Sequence, residues 1–404
     1  MTIIALVAIP LAAVIVYLPA FNGGWIWDDG ASVFRNPLVT DRQDGLYRTW
    51  FTTDNHDYWP MTTTAFWIQY QIFKNQGKPA GEEPSARNFH IVNVLLHALA
   101  AVLIFLVLKR LAIPGAILAG LVFAVHPINA VSVVWVSEMK NLLSMIFIAL
   151  TLLCYLRFER LGHWRWYGMA LAAFTLALAS KTSVVMLPFG LLGLAWWRRG
   201  RIGRRDIILS GGFFLLSAVM AGMTVLVQNR HMGVLTKPLD GIYRLAGAGW
   251  VMWFYIYKTL LPVKMSMIYP HWKETIESLG WISFLPTAAL AGIFAVLFLK
   301  RRTRWARPVL FAFGYFVLAV FPVLGFFNMS FMMHSLVADH FQYLPIIGVI
   351  SLVCAACWML AQNRKPQTRA IMGTVAAGVL VLLGMQTFRR ANVLKDELSL
   401  WRNT

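Results

Sequence analysis

The sequence predicts an all-α polytopic membrane protein, and three observations carry that reading. Apolar runs close to the roughly 20 residues that cross a hydrocarbon core recur along the whole chain. Of 404 residues, 59% are hydrophobic and 13% charged, far from the balance of a water-soluble domain. The net charge of +19 collects in short loops between the runs, which is how a membrane protein marks its cytoplasmic side. Lys and Arg placed in this way set orientation, and no nucleic-acid partner follows from them. Cys154, Cys354 and Cys357 lie within apolar stretches, which predicts buried thiols in place of a disulfide framework or a zinc site.

The first run, residues 3–20, has neither a basic leader nor a small-residue cleavage site, so it is expected to stay as a span. Residues 21–88 follow as a long polar and aromatic loop, and loops of that length are usually functional. Within it, residues 61–73 suit a short helix on the membrane surface, with Trp67 and Tyr70 at headgroup level. Residues 90–108 form the second span and end in Lys109-Arg110, which marks the cytoplasmic side and puts the 21–88 loop opposite. Residues 112–125 return after Pro114-Gly115, and 141–156 run back to Arg157, Arg160, His163 and Arg165. Short runs at 166–179 and 184–197 hinge at Ser180-Lys181-Thr182 on the outer face and close on basic residues 198–205, from which 207–227 goes out again. Residues 243–261 look like a further span, yet a crossing there would place the basic stretches 300–307 and 364–369 outside. The charge rule therefore predicts a re-entrant or surface helix at 243–261. Runs at 281–299, 309–327, 341–360 and 371–386 complete about eleven crossings, with the N-terminus in and the C-terminus out.

Chemistry concentrates at Gly24-Trp25-Ile26-Trp27-Asp28-Asp29-Gly30, where the first span reaches the outer face. Carboxylates are costly at bilayer depth, and a pair held there between tryptophans suits a general base for an acceptor hydroxyl. Like charges side by side push one pKa up and leave the other ionised, which separates a base from a hydrogen-bonding partner. A divalent cation on Asp28 or Asp29 is an alternative use of the pair, and an Asx-type turn is the purely structural one. A phosphate leaving group needs a cation at the same face, for which Lys181, Lys140 and His340 are placed. Glu138 is a local partner for Lys140. His90, Asn93 and His97 share one face of the second span, with His90 toward the interface and His97 deeper, as a core histidine. His126-Pro127 ends the third span, and Asp339-His340 precedes another, where the acid also suits a helix cap.

Several stretches agree in order and spacing with one family: Asp28-Asp29 followed by Asn36-Pro37, Tyr58-Trp59-Pro60-Met61-Thr62, residues 89–98, 123–127 and 135–141, Ser180-Lys181 through Leu187-Pro188, Tyr269-Pro270, and residues 338–345. Together they resemble the bacterial membrane proteins with tetratricopeptide repeats that are related to the eukaryotic transmembrane and tetratricopeptide-repeat O-mannosyltransferases, of the GT-C glycosyltransferase class. The resemblance covers nearly the whole chain. It implies a GT-C transmembrane domain at 1–388, with the Asp pair in loop 21–88, and an extracytoplasmic lead-in to a repeat domain at 389–404. It also implies inverting transfer of a sugar from a polyprenyl-phosphate carrier to a hydroxyl on the extracytoplasmic face of a bacterial inner membrane, most simply a Ser or Thr of a secreted or envelope protein. On that implication Asp28 or Asp29 is the base. Lys181, Lys140, His126, His90, His340, Asp339, Glu138 and Tyr343 serve the phosphate or sugar, and Trp59 and Tyr58 the acceptor side. The expected partners are membrane lipids, the lipid-linked sugar and a protein acceptor; the lipid-linked sugar is a substrate, and a divalent metal on the Asp pair is the one candidate cofactor. Three positions depart from the family pattern: Val131, Met139 and His340 stand where the family has Glu, Arg and Arg. An acid and two cations are thereby missing, which keeps two rivals open: transfer of the sugar to a lipid or cell-wall polymer, and an inactive membrane scaffold of the same fold. The sequon Asn328-Met329-Ser330 reads as incidental.

Overall fold

The computed structural model describes residues 2–55, 57–75, 83–231, 239, 241–327 and 329–404. Residues 76–82 of the long loop and Asn328 of the sequon lie outside them. Every regular element among the described residues is a helix, as lipid requires of a chain that must pair its own backbone groups.

By length and composition six of these helices are able to cross a membrane: Arg87–Arg110, Val136–Leu161, Arg204–Gln228, Gly280–Leu299, Ala306–Val323 and Pro366–Val393. A seventh is counted if Ala116–Val125 and Pro127–Val134, bent by 48°, act as one. The remaining expected runs are helical but shorter, at Thr2–Val16, Trp164–Ser180, Leu187–Arg199 and Ile346–Gln362. Proline and rim chemistry shorten them. Pro19 opens a 3-10 turn, Leu18–Asn22, after the first run. The 341–360 run becomes helical only at Ile346, because Asp339–Gln342 form a 3-10 turn and Pro345 precedes the helix. The sequence therefore locates the helices better than it counts the crossings.

The central core packs Thr2–Val16, Arg87–Arg110, Ala116–Val125 and Met139–Leu161 with Ile346–Gln362. Small residues let these helices approach, as membrane packing requires. A Cβ added to Gly120 would lie 3.0 Å from the Phe105 Cβ, and one on Gly348 would lie 2.8 Å from the Ala312 carbonyl.

Two rims result. Arg110, Arg160, Arg198, Arg199, Arg201 and Arg205 gather around one basin, and a Cβ on Gly200 would lie 3.0 Å from Arg307, so the 300–307 loop joins the same rim. The opposite rim holds the 21–55 and 57–75 segments, residues 135–141, Lys181 and Asp339–Tyr343, linked by hydrogen bonds such as Thr62 Oγ1 to Ser180 O (3.0 Å) and Gln228 Nε2 to Asp57 (3.1 Å). Helix Tyr243–Leu260 touches that second rim at both ends, through Arg244 to the Phe326 carbonyl (2.9 Å) and Thr259 to Gln342 (2.9 Å). Among the described helices it is not one of those long and apolar enough to cross a membrane. The helix expected in the long loop is present as Pro60–Phe73.

All three cysteines are free. Cys354 is buried and Cys154 half-buried, but Cys357 is exposed, because it sits on the outward face of Ile346–Gln362. The expectation of buried thiols fails there.

Candidate active site

The Asp pair sits in a turn shaped by three local features. Gly23 passes close to His90, where a Cβ would lie 2.8 Å from Nε2, and that nitrogen donates to the Gly24 carbonyl at 3.1 Å. Trp27 then adopts φ +48°, a conformation costly for a bulky side chain and usually found where structure over-determines it. Its ring is held against Trp135 (5.6 Å), Trp401 (5.2 Å) and Phe331 (6.2 Å). The two acids that follow point to different surroundings.

Asp29 is fully buried. Its Oδ2 accepts the Ile26 N–H at 3.0 Å, and its Oδ1 accepts both the Ser137 N–H (2.7 Å) and the Ser137 hydroxyl (2.9 Å). Burial pushes its pKa up to about 7 against the pull of those donors. Asp28 is only half-buried and accepts the Trp135 indole N–H at 2.9 Å. Burial raises its pKa too, opposed chiefly by the Lys140 charge. Asp29 thus ties the turn to residues 136–138, and Asp28 is presented.

Below them, Glu138 is buried between two lysines. Lys140 Nζ lies 2.6 Å from Oε1, and Lys181 Nζ 3.7 Å from Oε2. Asn141 joins the group: its Nδ2 donates to Glu138 (2.6 Å), to Ser132 (3.0 Å) and to the His340 carbonyl (3.0 Å), while its Oδ1 accepts Lys181 at 2.6 Å. The Lys140 ammonium stands over the rings of Trp59 (4.9 Å) and Trp135 (5.6 Å). Burial lowers the Lys181 pKa to about 8, resisted by Glu138. Two ammonium groups stand close together here, held by Glu138 with Asp28 and Asp57 nearby, and paired cations of this kind suit a phosphate.

The structure therefore gathers Asp28, Glu138, Lys140, Lys181, His340 and Trp59 in one place. The His340 ring packs edge-on to Trp135 at 5.4 Å. Other candidates are engaged in packing. Tyr58 donates to the Trp50 carbonyl (2.9 Å) and joins an apolar cluster. Tyr343 donates to His97 Nδ1 (2.8 Å) while His97 Nε2 donates to the Ala124 carbonyl (3.0 Å), so both belong to the core. His90 holds the Gly24 turn and His126 donates to the Thr259 carbonyl at 3.0 Å. Asp339 lies apart, accepting the Tyr269 hydroxyl at 2.8 Å. The departures are accommodated: Val131 is buried in the core, and Met139 accepts Gln69 Nε2 at 3.4 Å.

The metal alternative fits poorly. Hydrogen-bond donors occupy both oxygens of Asp29, Lys140 presses on Asp28, and among the described residues no three His, Cys, Asp or Glu converge. Sequence reasoning did not single out Trp135, Ser137 or Asn141. Their signal was the run of polar residues Ser137-Glu138-Lys140-Asn141 opening an apolar helix.

A cavity of about 430 Å³ begins one turn below this site, at Met145, Val184 and Leu344, and extends to Pro114, Arg304 and Trp305 on the basic rim. Its walls are almost wholly apolar, from five helices including Arg87–Arg110 and Ile346–Gln362.

A family model described as dolichyl-phosphate-mannose-protein mannosyltransferase matches residues 60–224, which contain Glu138, Lys140 and Lys181. A Caenorhabditis elegans protein named Protein O-mannosyl-transferase F38B6.6 is 21% identical, over 96% of this chain and 56% of its own length. Human TMTC4, also named a protein O-mannosyl-transferase, is 21% identical over 97% of this chain and 60% of its own. Drosophila melanogaster Tmtc1 is 31% identical over 42% of this chain and 19% of its own. The chain spans little more than half the length of the curated relatives it matches end to end. It is an integral membrane protein, similar over nearly its full length to proteins named protein O-mannosyl-transferases.

Proposed function

We propose that this chain transfers a sugar, most simply mannose, with inversion from a polyprenyl-phosphate carrier to a Ser or Thr hydroxyl of a protein on the extracytoplasmic side, which is the rim bearing the Asp pair. One observation carries the reading: an apolar cavity of membrane depth opens one turn below a buried pair of lysines, beside a half-buried aspartate. That sequence of environments matches an isoprenoid tail, a phosphate and a reacting hydroxyl in turn. Asp28 takes the acceptor proton as the hydroxyl oxygen bonds to the sugar C1 from the face opposite the phosphate. The C1–O bond to phosphate breaks, and its electron pair leaves on a phosphate oxygen neutralised by Lys140 and Lys181. Trp135 orients Asp28, and Glu138 with Asn141 holds the lysines apart. No divalent metal takes part, so chelation leaves the rate unchanged.

Intact mass of secreted and envelope proteins tests the reading, comparing hosts that express wild type and Asp28→Asn. A hexose-sized mass increment lost in the variant supports it. Loss of sugar from envelope lipid or polymer, with protein masses unchanged, moves the acceptor to that class. No change in either removes the transferase and leaves a scaffold.

A further inference from the structure

The residue before His340 enters a second enclosed polar cluster that the steps above do not use. Asp339 and Gln342 come from the short turn before helix Ile346–Gln362, Lys258 and Thr259 from the last turn of Tyr243–Leu260, Tyr269 from the loop after it, and Arg390 from the last turns of Pro366–Val393. Thr387, one turn before Arg390 on the same face, donates to the Val125 carbonyl at 2.6 Å, which fixes this helix beside His126. Thr259 bridges the group, since its hydroxyl stands 2.8 Å from the Tyr255 carbonyl and 2.9 Å from the Gln342 side-chain amide, and its own carbonyl accepts His126. Lys258 directs its ammonium at the Val263 and Lys264 carbonyls, 2.7 Å each.

Four atoms of this group have no partner among the described residues: Asp339 Oδ2, Gln342 Nε2, and Arg390 Nε and Nη2. All belong to buried side chains, with Arg390 7% exposed and Gln342 fully enclosed. The Arg390 and Lys258 charges act on Asp339, yet no Asp339–Arg390 ion pair closes the set among the described residues. Buried groups left unpaired cost about 1–3 kcal/mol each, so four together call for a ligand that completes them.

The chemistry of the four selects the ligand class. Three are N–H groups and one is a carboxylate oxygen. A phosphate would accept from Arg390 and Gln342 but would bring negative charge against Asp339. A sugar hydroxyl both donates and accepts, so neighbouring hydroxyls can give to Asp339 Oδ2 and take from Arg390 and Gln342. We infer that Asp339, Gln342 and Arg390 bind the hydroxyls of the sugar ring carried by the lipid-linked substrate. The cluster is coupled to the base through His340, which follows Asp339 and packs on Trp135, the partner of Asp28. This inference rests on the transferase reading.

The test is binding in detergent of two probes, a short-chain polyprenyl-phosphate mannose and the same carrier without the sugar, read as melting midpoint and Kd. Wild type is expected to bind the loaded carrier more tightly. Asp339→Asn, which keeps the oxygen that accepts Tyr269, and Arg390→Gln each weaken the loaded carrier by about tenfold, the loss of one charge-assisted hydrogen bond, and leave the bare carrier unchanged. If a variant fails to fold, Gln342→Met removes the amide at similar length without adding a charge, and reads the same difference. Preference for the loaded carrier retained in these variants overturns the inference. Equal weakening of both carriers also overturns it, in favour of a phosphate site. A wild type that binds neither carrier removes the transferase reading itself, and this inference with it.

Discussion

At Asp29 both carboxylate oxygens accept hydrogen bonds, so an amide there would turn its NH₂ toward the N–H of Ile26 or Ser137. Asp29→Asn is therefore expected to cost about 1–3 kcal/mol of stability, visible as a lower melting midpoint. Asp28→Asn keeps an acceptor for Trp135 but cannot take a proton, so transfer falls at least about 10²-fold with the midpoint held. Equal midpoints and equal losses in the two variants would remove this division of labour. Position on the chain left open which of the two acids is the base; the partners of each oxygen separate them. The pH profile follows from the same residues. Burial raises the Asp28 pKa, so the acid limb should lie above the ordinary aspartate range of about 4. Lys181 must stay charged and loses its proton near pH 8, so the rate falls again on the alkaline side. Lys181→Arg should move that alkaline limb upward and leave the acid limb in place, measured as kcat/KM against pH.

Among the elements, helix Tyr243–Leu260 shows most clearly what an apolar run does and does not reveal. Its length matches a span, but its mean hydropathy falls short of the helices able to cross, in the same direction as the placement of the distant basic loops. Its packing depends on Gly249, where a Cβ would meet the Thr287 hydroxyl and lie 2.6 Å from the Thr287 backbone N. Gly249→Ala must push this helix away from Leu285–Leu299, so the melting midpoint should drop by the equivalent of about 1–3 kcal/mol. Gly222→Ala, with nothing within 4 Å, serves as the control and should not lower it. The helices that begin in 3-10 turns were also misjudged at their ends, since a turn stabilised by tertiary contacts, such as Asp339–Gln342, has no signature in the hydropathy of the run.

For the molecule as a whole, the two rims and the cavity between them define the direction of chemistry. Gly190 lines the cavity, and a Cβ added there would meet nothing within 4 Å. Gly190→Phe should therefore fill part of the cavity proposed to take the isoprenoid tail, with little effect on the fold. The expected result is a donor KM raised about tenfold, an energy of about 1.4 kcal/mol, with the melting midpoint unchanged. An unchanged KM would detach the cavity from the lipid carrier.

The sequence by itself determined the membrane class, the position of nearly every helix and the polar residues that gather at the rim bearing the Asp pair. It could do so because a charge or carboxylate in an apolar chain is expensive wherever it falls, and so stands out without any knowledge of its neighbours. What the tertiary structure decided is which of those residues meet. Asp28 and Trp135 lie far apart in sequence yet 2.9 Å apart in space. Arg390 reads in sequence as one of two arginines ending a span, but folding buries it beside Asp339. Contacts between distant helices are set by shape and packing, for which hydropathy and spacing along one strand of chain have no term.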